Sequence, residues 1–330
     1  MKPGRRNLIT DIPGIVVGNA QDTNLMSGCT VLTTSVPLIG GMCILGGAPG
    51  TRETELLEPD KTITQIDGLV LSGGSAFGLD AASGVTKYLK ERKRGFRVGS
   101  HLIPIVPAAV LFDLNAGGDH NWSTNPYPNL GYKAAKKASK DFSIGSFGAG
   151  TGATTVNLKG GLGSASLERS DGTIIGALVA VNPVGSVIVG DGPHFWAAPF
   201  EIMNEFGGRG MAHYFNINKK QVTKTNMGSA TTIGVIATNA TLTKAENKRL
   251  AVAAHGGLAR SIYPSHTAMD GDLVFGVSTN EKSVKSSITD TIELENMAAI
   301  CMARAIARGV YSASYSTRDK LPTWKSEYEL

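Results

Sequence analysis

Thr231 stands at an abrupt boundary. The stretch Lys224-Thr-Asn-Met-Gly-Ser-Ala230 is polar, whereas Thr231-Thr-Ile-Gly-Val-Ile-Ala-Thr238 is apolar and β-branched. A hydroxyl residue in that position has one special chemical use. If the bond before it is cut, its own α-amine, with an ordinary pKa of about 7.7–8.0, becomes a general base beside Oγ1. The plain alternative is that Thr231 is simply the first residue of a buried strand. Asp270-Gly271-Asp272 is the second candidate, because two carboxylates running into apolar Leu273-Val274 need solvation or a definite partner to offset their charge. Spacing alone leaves that pair open between a functional role and a turn-and-cap role.

Other patterns lead away from chemistry. Gly148-Ala-Gly-Thr-Gly-Ala153 fits a dinucleotide fingerprint on paper, but that motif needs a strand before it and a helix after it, and glycines return at Gly160-Gly161. It is read as a loop with close backbone contacts. Ser75 in Gly73-Gly-Ser-Ala-Phe-Gly78 lacks the spacing of a nucleophile elbow and is read as a helix cap. The six histidines, His101, His120, His194, His213, His255 and His266, have no metal-ligand spacing, so no metal or other cofactor is expected. Cys29, Cys43 and Cys301 are odd in number with no CxxC, which reads as reduced thiols in a cytoplasmic protein.

The elements that must position Thr231 and the carboxylates are legible in outline. Strands are expected at Gly14–Gly18, Cys29–Thr34, Gly41–Leu45, Gly68–Leu71, Thr173–Val181, Gly185–Val189, Thr231–Thr238 and Asp272–Ser278. Helices are expected at Ala76–Arg92, Gly131–Lys140, from a Thr243/Glu246 capping box to about Ile262, and at Thr291–Arg308 with Gly309 as the stop. Glu201–Gly228 reads as a long exposed connection. The order predicts layered α and β without internal repeats.

Composition narrows the function classes. The chain has 330 residues with Lys+Arg 32 against Asp+Glu 27, a net charge of +5 that is spread rather than blocked, so neither a nucleic acid nor a membrane is an expected partner. Gly 41 without a proline excess implies tight turns and close backbone approaches.

Taken in order, Asp11-Ile-Pro-Gly-Ile-Val-Val-Gly18, Leu71-Ser-Gly-Gly-Ser-Ala-Phe-Gly-Leu-Asp80, Phe147-Gly-Ala-Gly-Thr-Gly152, Lys159-Gly-Gly-Leu-Gly-Ser164, Thr231–Thr238 and Asp270-Gly-Asp272 resemble the L-aminopeptidase D-amidase/esterase family of self-processing N-terminal nucleophile hydrolases. The resemblance covers nearly the whole chain. It implies an αββα sandwich, two sheets flanked by helices, as a single domain over residues 1–330. It also implies self-cleavage between Ala230 and Thr231 into 1–230 and 231–330, and a homo-oligomer, expected as a tetramer. Thr231 resembles the nucleophile, Asp270 and Asp272 the pair that orients its amine and hydroxyl, and Asn182 the oxyanion donor. Lys159 resembles a further catalytic residue and Tyr132 a substrate contact, while Phe147, His194 and Trp196 are candidates for the cleft walls. The family's aminopeptidases carry Ser and Glu at the Asp270 and Asp272 positions, so the Asp pair resembles the branch acting on 6-aminohexanoate (nylon) oligomers. Relatives usually have Asn or Gly where this chain has Ala230. The small side chain of Ala230 leaves its carbonyl open to attack. The alternatives are an aminopeptidase or D-amidase/esterase on small peptides, an acyltransferase like ornithine acetyltransferase, and a non-catalytic binding protein that remains one chain.

Overall fold

Strand alternation decides the architecture. The computed structural model describes residues 1–216, 218, 223–224, 230–283 and 287–329. In chain order the first half holds β1 (Ile15–Asp22), β2 (Ser27–Ile44), β3 (Thr51–Arg52), β4 (Gln65–Ser72), α1 (Ala81–Glu91), the hairpin β5 (Phe96–Val98) and β6 (His101–Ile103), β7 (Ala108–Val110) and α2 (Tyr127–Lys136). The second half adds β8 (Gly161–Glu168), β9 (Ile174–Asn182), β10 (Thr231–Ala240), α3 (Lys244–Ala259), β11 (Leu273–Lys282), α4 (Ile288–Tyr311) and α5 (Trp324–Tyr328).

Successive strand residues point to opposite faces, and here both faces are apolar. Cys29 and Val31 of β2 and Val70 of β4 pack on α1 and α2. Leu32, Leu69 and Leu71 point the other way, into a core shared with Leu178 and Ala180 of β9, Ile233 and Val235 of β10, and Leu273 and Phe275 of β11. The reverse faces of those last strands, Val179, Val181, Ile236 and Val274, pack on α3 and α4. The layers therefore run helix, sheet, sheet, helix, as the resemblance implied.

The two sheet layers are one hydrogen-bonded ladder, ordered β3-β7-β4-β2-β11-β10-β9-β8 with β1 also on β2. The expected strands at Cys29–Thr34 and Gly41–Leu45 are the two ends of the 18-residue β2. Its first part pairs with β1, and its last part, from Ile39, pairs with β11. Between them Ser35, Val36 and Pro37 are exposed and the register against β4 shifts. Pro37 has no N–H to give a ladder, so the strand breaks register there and passes from one layer to the other.

Several local expectations change. Ser75 is not a cap; it sits at φ 52° after left-handed Gly74 and opens a 3-10 segment that precedes α1. Gly185–Val189 makes only isolated bridges, to Tyr263 and Phe195. α2 begins four residues before the expected Gly131, where Pro128 in the first turn supplies a helical φ. Gly309 does not stop α4 but lies within it. A Cβ there would meet the Gly163 backbone nitrogen at 2.9 Å, so glycine lets the helix lie flush on β8. The Thr243/Glu246 capping box is present as expected. The Gly148–Gly150 segment is a 3-10 turn packed against β1 and β2 through Asn19 and Thr30, a close-contact loop as read from the sequence.

The connection after Glu201 is anchored where it was expected to be exposed. Phe206 is buried, and Glu205 pairs with the fully buried Arg304 of α4 at 2.6 Å. Lys219, Lys220 and most of 217–229 lie outside the described residues. Among the described residues, no helix is long and apolar enough to cross a membrane.

Candidate active site

Strand pairing gathers residues far apart in sequence at one end of the sheet. β10 and β11 are parallel with Ile233 opposite Leu273, and α3 is the crossover between them. The residues at the start of each strand, Ala230-Thr231 for β10 and Asp270-Gly271-Asp272 for β11, therefore lie side by side. β9 runs antiparallel on the other flank of β10 and places Asn182 directly opposite Thr231. All of these residues are buried.

Thr231 is set against the bond that precedes it. Its hydroxyl donates to the Ala230 carbonyl oxygen at 2.7 Å. The Gly271 N–H points at the same place, 2.9 Å from that oxygen and 3.2 Å from Thr231 Oγ1. The Thr231 hydroxyl and the Gly271 N–H thus converge on one carbonyl oxygen, with the backbone donor standing where an oxyanion would need one.

Neither carboxylate bonds to Thr231 directly in the intact chain; each is held beside it by donors. Asp272 accepts the Thr232 N–H on Oδ1 at 2.8 Å, and on Oδ2 it accepts the His266 N–H at 3.0 Å and ring Nδ1 at 2.8 Å. Asp270 accepts the Val184 N–H on Oδ1 at 2.9 Å, and on Oδ2 it accepts the Thr267 N–H at 2.9 Å and hydroxyl at 2.7 Å. Burial raises the Asp270 carboxyl above its ordinary pKa of 3.8, and the charge of Asp272 raises it further.

Asn182 has its carboxamide fixed. Nδ2 donates to the Phe112 carbonyl at 3.1 Å, while Oδ1 accepts the Thr154 N–H at 3.0 Å and Lys224 Nζ at 3.0 Å. One Nδ2 hydrogen remains for another acceptor. Lys224, which falls in the Glu201–Gly228 connection expected to be exposed, is buried with its ammonium on the Thr154 carbonyl and on Asn182. Burial pulls its pKa from 10.5 down to about 7, against the opposing pull of the Asp270 charge.

Lys159 forms no hydrogen bond with Thr231. Its ammonium forms a buried ion pair with Asp319, and both line a small cavity with Phe112, Thr154 and Lys224. Tyr132, expected at the substrate, is not among the residues that strand pairing gathers here. Its hydroxyl donates to Glu91 and its ring packs edge-on against Tyr88, because α2 turns that side toward α1. Phe147 is likewise outside the gathered residues, at the start of the Gly148 turn. His194 lines a cleft of about 400 Å³ with Ser186, Ile188, Val189 and Phe215. Trp196 packs edge-on against Phe215 and at a tilt against Tyr263.

Sequence reasoning missed four groups. Gly271 contributes a backbone amide, which no side-chain pattern reveals. Lys224 carried the signal of a surface charge. His266 was weighed only as a metal ligand. Thr267 stands three residues before Asp270, and that spacing suits a local hydroxyl–carboxylate bond and was readable.

Comparison with known proteins converges on one family. The profile of peptidase family S58 matches residues 7–320. An uncharacterized aminopeptidase of Mycobacterium bovis is 40% identical over 329 residues, covering 93% of this chain and 94% of that protein. The 6-aminohexanoate-oligomer endohydrolase of Kocuria sp. is 29% identical over 296 residues, 84% of this chain and 76% of its own length. Among solved structures, a Burkholderia sp. beta-aminopeptidase superposes with a TM-score of 0.72 at 20% identity, covering 98% of this chain and 92% of its own. The L-aminopeptidase D-Ala-esterase/amidase of Ochrobactrum anthropi, a variant of the Ntn hydrolase fold, gives 0.71 at 20% identity, covering 99% and 96%.

Proposed function

Because the chain belongs to peptidase family S58 and is an amide-bond hydrolase, we propose that it is a self-processing N-terminal threonine amidohydrolase of linear amides. The observation that carries this reading is the Thr231 hydroxyl 2.7 Å from the Ala230 carbonyl oxygen, with the Gly271 N–H 2.9 Å from that oxygen. Oγ1 attacks the Ala230 carbonyl carbon, and Gly271 donates to the oxyanion that forms. The C–N bond then breaks as the hydroxyl proton passes to the departing nitrogen, leaving an ester on Oγ1 and a free α-amine on Thr231. Water hydrolyses the ester, which frees the Ala230 carboxylate and yields chains 1–230 and 231–330.

The new α-amine then serves as general base for Oγ1 against an external amide. Asp272 and Asp270 orient it, and the spare N–H of Asn182 meets the substrate oxyanion. Lys159, through the cavity it shares with Lys224, is assigned to the same site as a supporting cation. Homo-oligomeric assembly and a cytoplasmic location belong to the same proposal, and the mass of the native particle by light scattering tests the first.

For substrate, 6-aminohexanoate oligomers fit the Asp270/Asp272 pair and the Ile188, Val189 and Phe215 wall of the cleft beside Asn157 and Ser186. An aminopeptidase on small peptides is the second reading, favoured by the 40% identity to proteins named for that activity. Assay of the cleaved protein on 6-aminohexanoate oligomers and on α-peptides, with Thr231→Ala as blank, tests both. Turnover of the oligomers supports the first reading; fast release of amino acids from α-peptides with no attack on the oligomers replaces it with the second.

A further inference from the structure

Two consecutive residues outside the strands treat the two carboxylates alike. His266 gives its backbone N–H and its ring Nδ1 to Oδ2 of Asp272, and Thr267 gives its backbone N–H and its hydroxyl to Oδ2 of Asp270. A carboxylate oxygen has two lone-pair directions, so both Oδ2 atoms are filled. Each Oδ1 has one backbone donor, Thr232 N–H for Asp272 and Val184 N–H for Asp270, and so keeps one direction open. The donors to both Oδ1 atoms are neighbours of the nucleophile along the ladder: Thr232 follows Thr231, and Val184 stands two residues after Asn182, the residue paired opposite Thr231.

The backbone at His266 is held in an unusual state to do this. His266 lies at φ 55°, in the left-handed region that costs a histidine energy. That twist lets neighbouring residues address two different carboxylates. Because Asp272 is an acceptor, Nδ1 of His266 bears the proton, and its Nε2 is buried with no partner among the described residues. The His255 ring stands edge-on 4.9 Å away. His255 donates its own Nε2 hydrogen to the Cys43 carbonyl, and burial lowers its pKa to about 4, so it faces His266 uncharged.

We infer that His266-Thr267 is a positioning clamp for the reaction: it saturates Oδ2 of both carboxylates so that a single acceptor direction on each Oδ1 remains for the amine and hydroxyl of Thr231. The inference rests on Thr231 acting as the N-terminal nucleophile. Neither clamp residue touches the reacting atoms. With the clamp removed a carboxylate can rotate, its free acceptor leaves Thr231, and a misplacement on the order of 1 Å costs about 100-fold in rate.

The test uses the full chain, brought to its mature form, with the amide that the wild type hydrolyses. Thr267→Val keeps the volume and removes only the hydroxyl donor; Thr267→Ser restores it. His266→Ala removes the ring donor; His266→Asn restores an N–H donor and tolerates positive φ. The expected result is a fall in kcat on the order of 100-fold in the Val and Ala variants with KM within about twofold, recovered to within about tenfold in the Ser and Asn variants. Unfolding midpoints are read in parallel, since a merely structural role would track stability and not donor chemistry. Unchanged kcat in the Val and Ala variants, or equal losses in the paired variants, overturns the clamp. Retained activity in Thr231→Ala shows instead that the nucleophile reading has failed, and the clamp falls with it.

Discussion

Replacing Gly271 by Ala perturbs the self-cleavage geometry through a single carbon. A Cβ built at Gly271 lies 2.7 Å from the Ala48 carbonyl oxygen, 2.7 Å from Thr231 Oγ1 and 3.2 Å from Pro49 Cα, and the first two are inside the 3.0 Å that real Cβ contacts respect. Ala48 and Pro49 contribute backbone here and cannot swing aside as a flexible side chain would. Position 271 must therefore move, which takes its N–H off the Ala230 oxygen now 2.9 Å away. Overpacking of this kind costs about 1–3 kcal/mol of stability. Loss of an aimed oxyanion donor costs about 100- to 1,000-fold in rate. The assay is intact mass against time for freshly purified Gly271→Ala, following the loss of the 330-residue species. The stability cost is read separately, by comparing unfolding of Thr231→Ala with and without Gly271→Ala, since neither protein should cut itself. Cleavage at the wild-type rate in a folded Gly271→Ala protein refutes the role given to this amide.

Three further outcomes follow from the same geometry. Asn182→Ala removes the donor proposed for the substrate oxyanion and should lower kcat about 100- to 1,000-fold in steady-state assays of the mature enzyme. Asp319→Ala leaves the Lys159 ammonium buried and unpaired, so denaturant melts should show about 3–5 kcal/mol of lost stability. Burial pushes the Asp113 carboxyl from 3.8 up to about 7; the unfolded chain releases this proton near pH 4 while the folded chain keeps it. The stability Asp113 contributes is therefore complete below pH 4 and is lost as pH rises toward 7, at up to about 1.4 kcal/mol per pH unit, and Asp113→Asn should flatten that slope in melts across the window.

What the sequence disclosed followed periodicity. The alternating apolar runs of β9, β10 and β11 and the Thr243/Glu246 cap were readable, because burial on two faces and capping leave local marks. The layer order was legible through family resemblance, whereas the merging of two layers through β2 was not, since Pro37 and its exposed neighbours make one continuous strand read as two. Thr231, Asp270 and Asp272 were legible as residue types and Asn182 through the resemblance alone, and the pairing of β10 with β9 and β11 supplies their proximity. Lys224 was misread because charge predicts exposure unless the partners are known, and its partners, Thr154 and Asn182, are 70 and 42 residues away. Tyr132 was placed by resemblance alone; helix phase turns it toward α1.

Intact mass with N-terminal sequencing, on freshly purified wild type and Thr231→Ala incubated side by side, tests the central claim most directly. The account predicts that the wild type resolves into two chains, one beginning at Thr231 and one ending at Ala230, while Thr231→Ala stays a single folded chain. A wild type that persists as one 330-residue species while hydrolysing amides, or a Thr231→Ala protein that still yields a fragment beginning at residue 231, would contradict it.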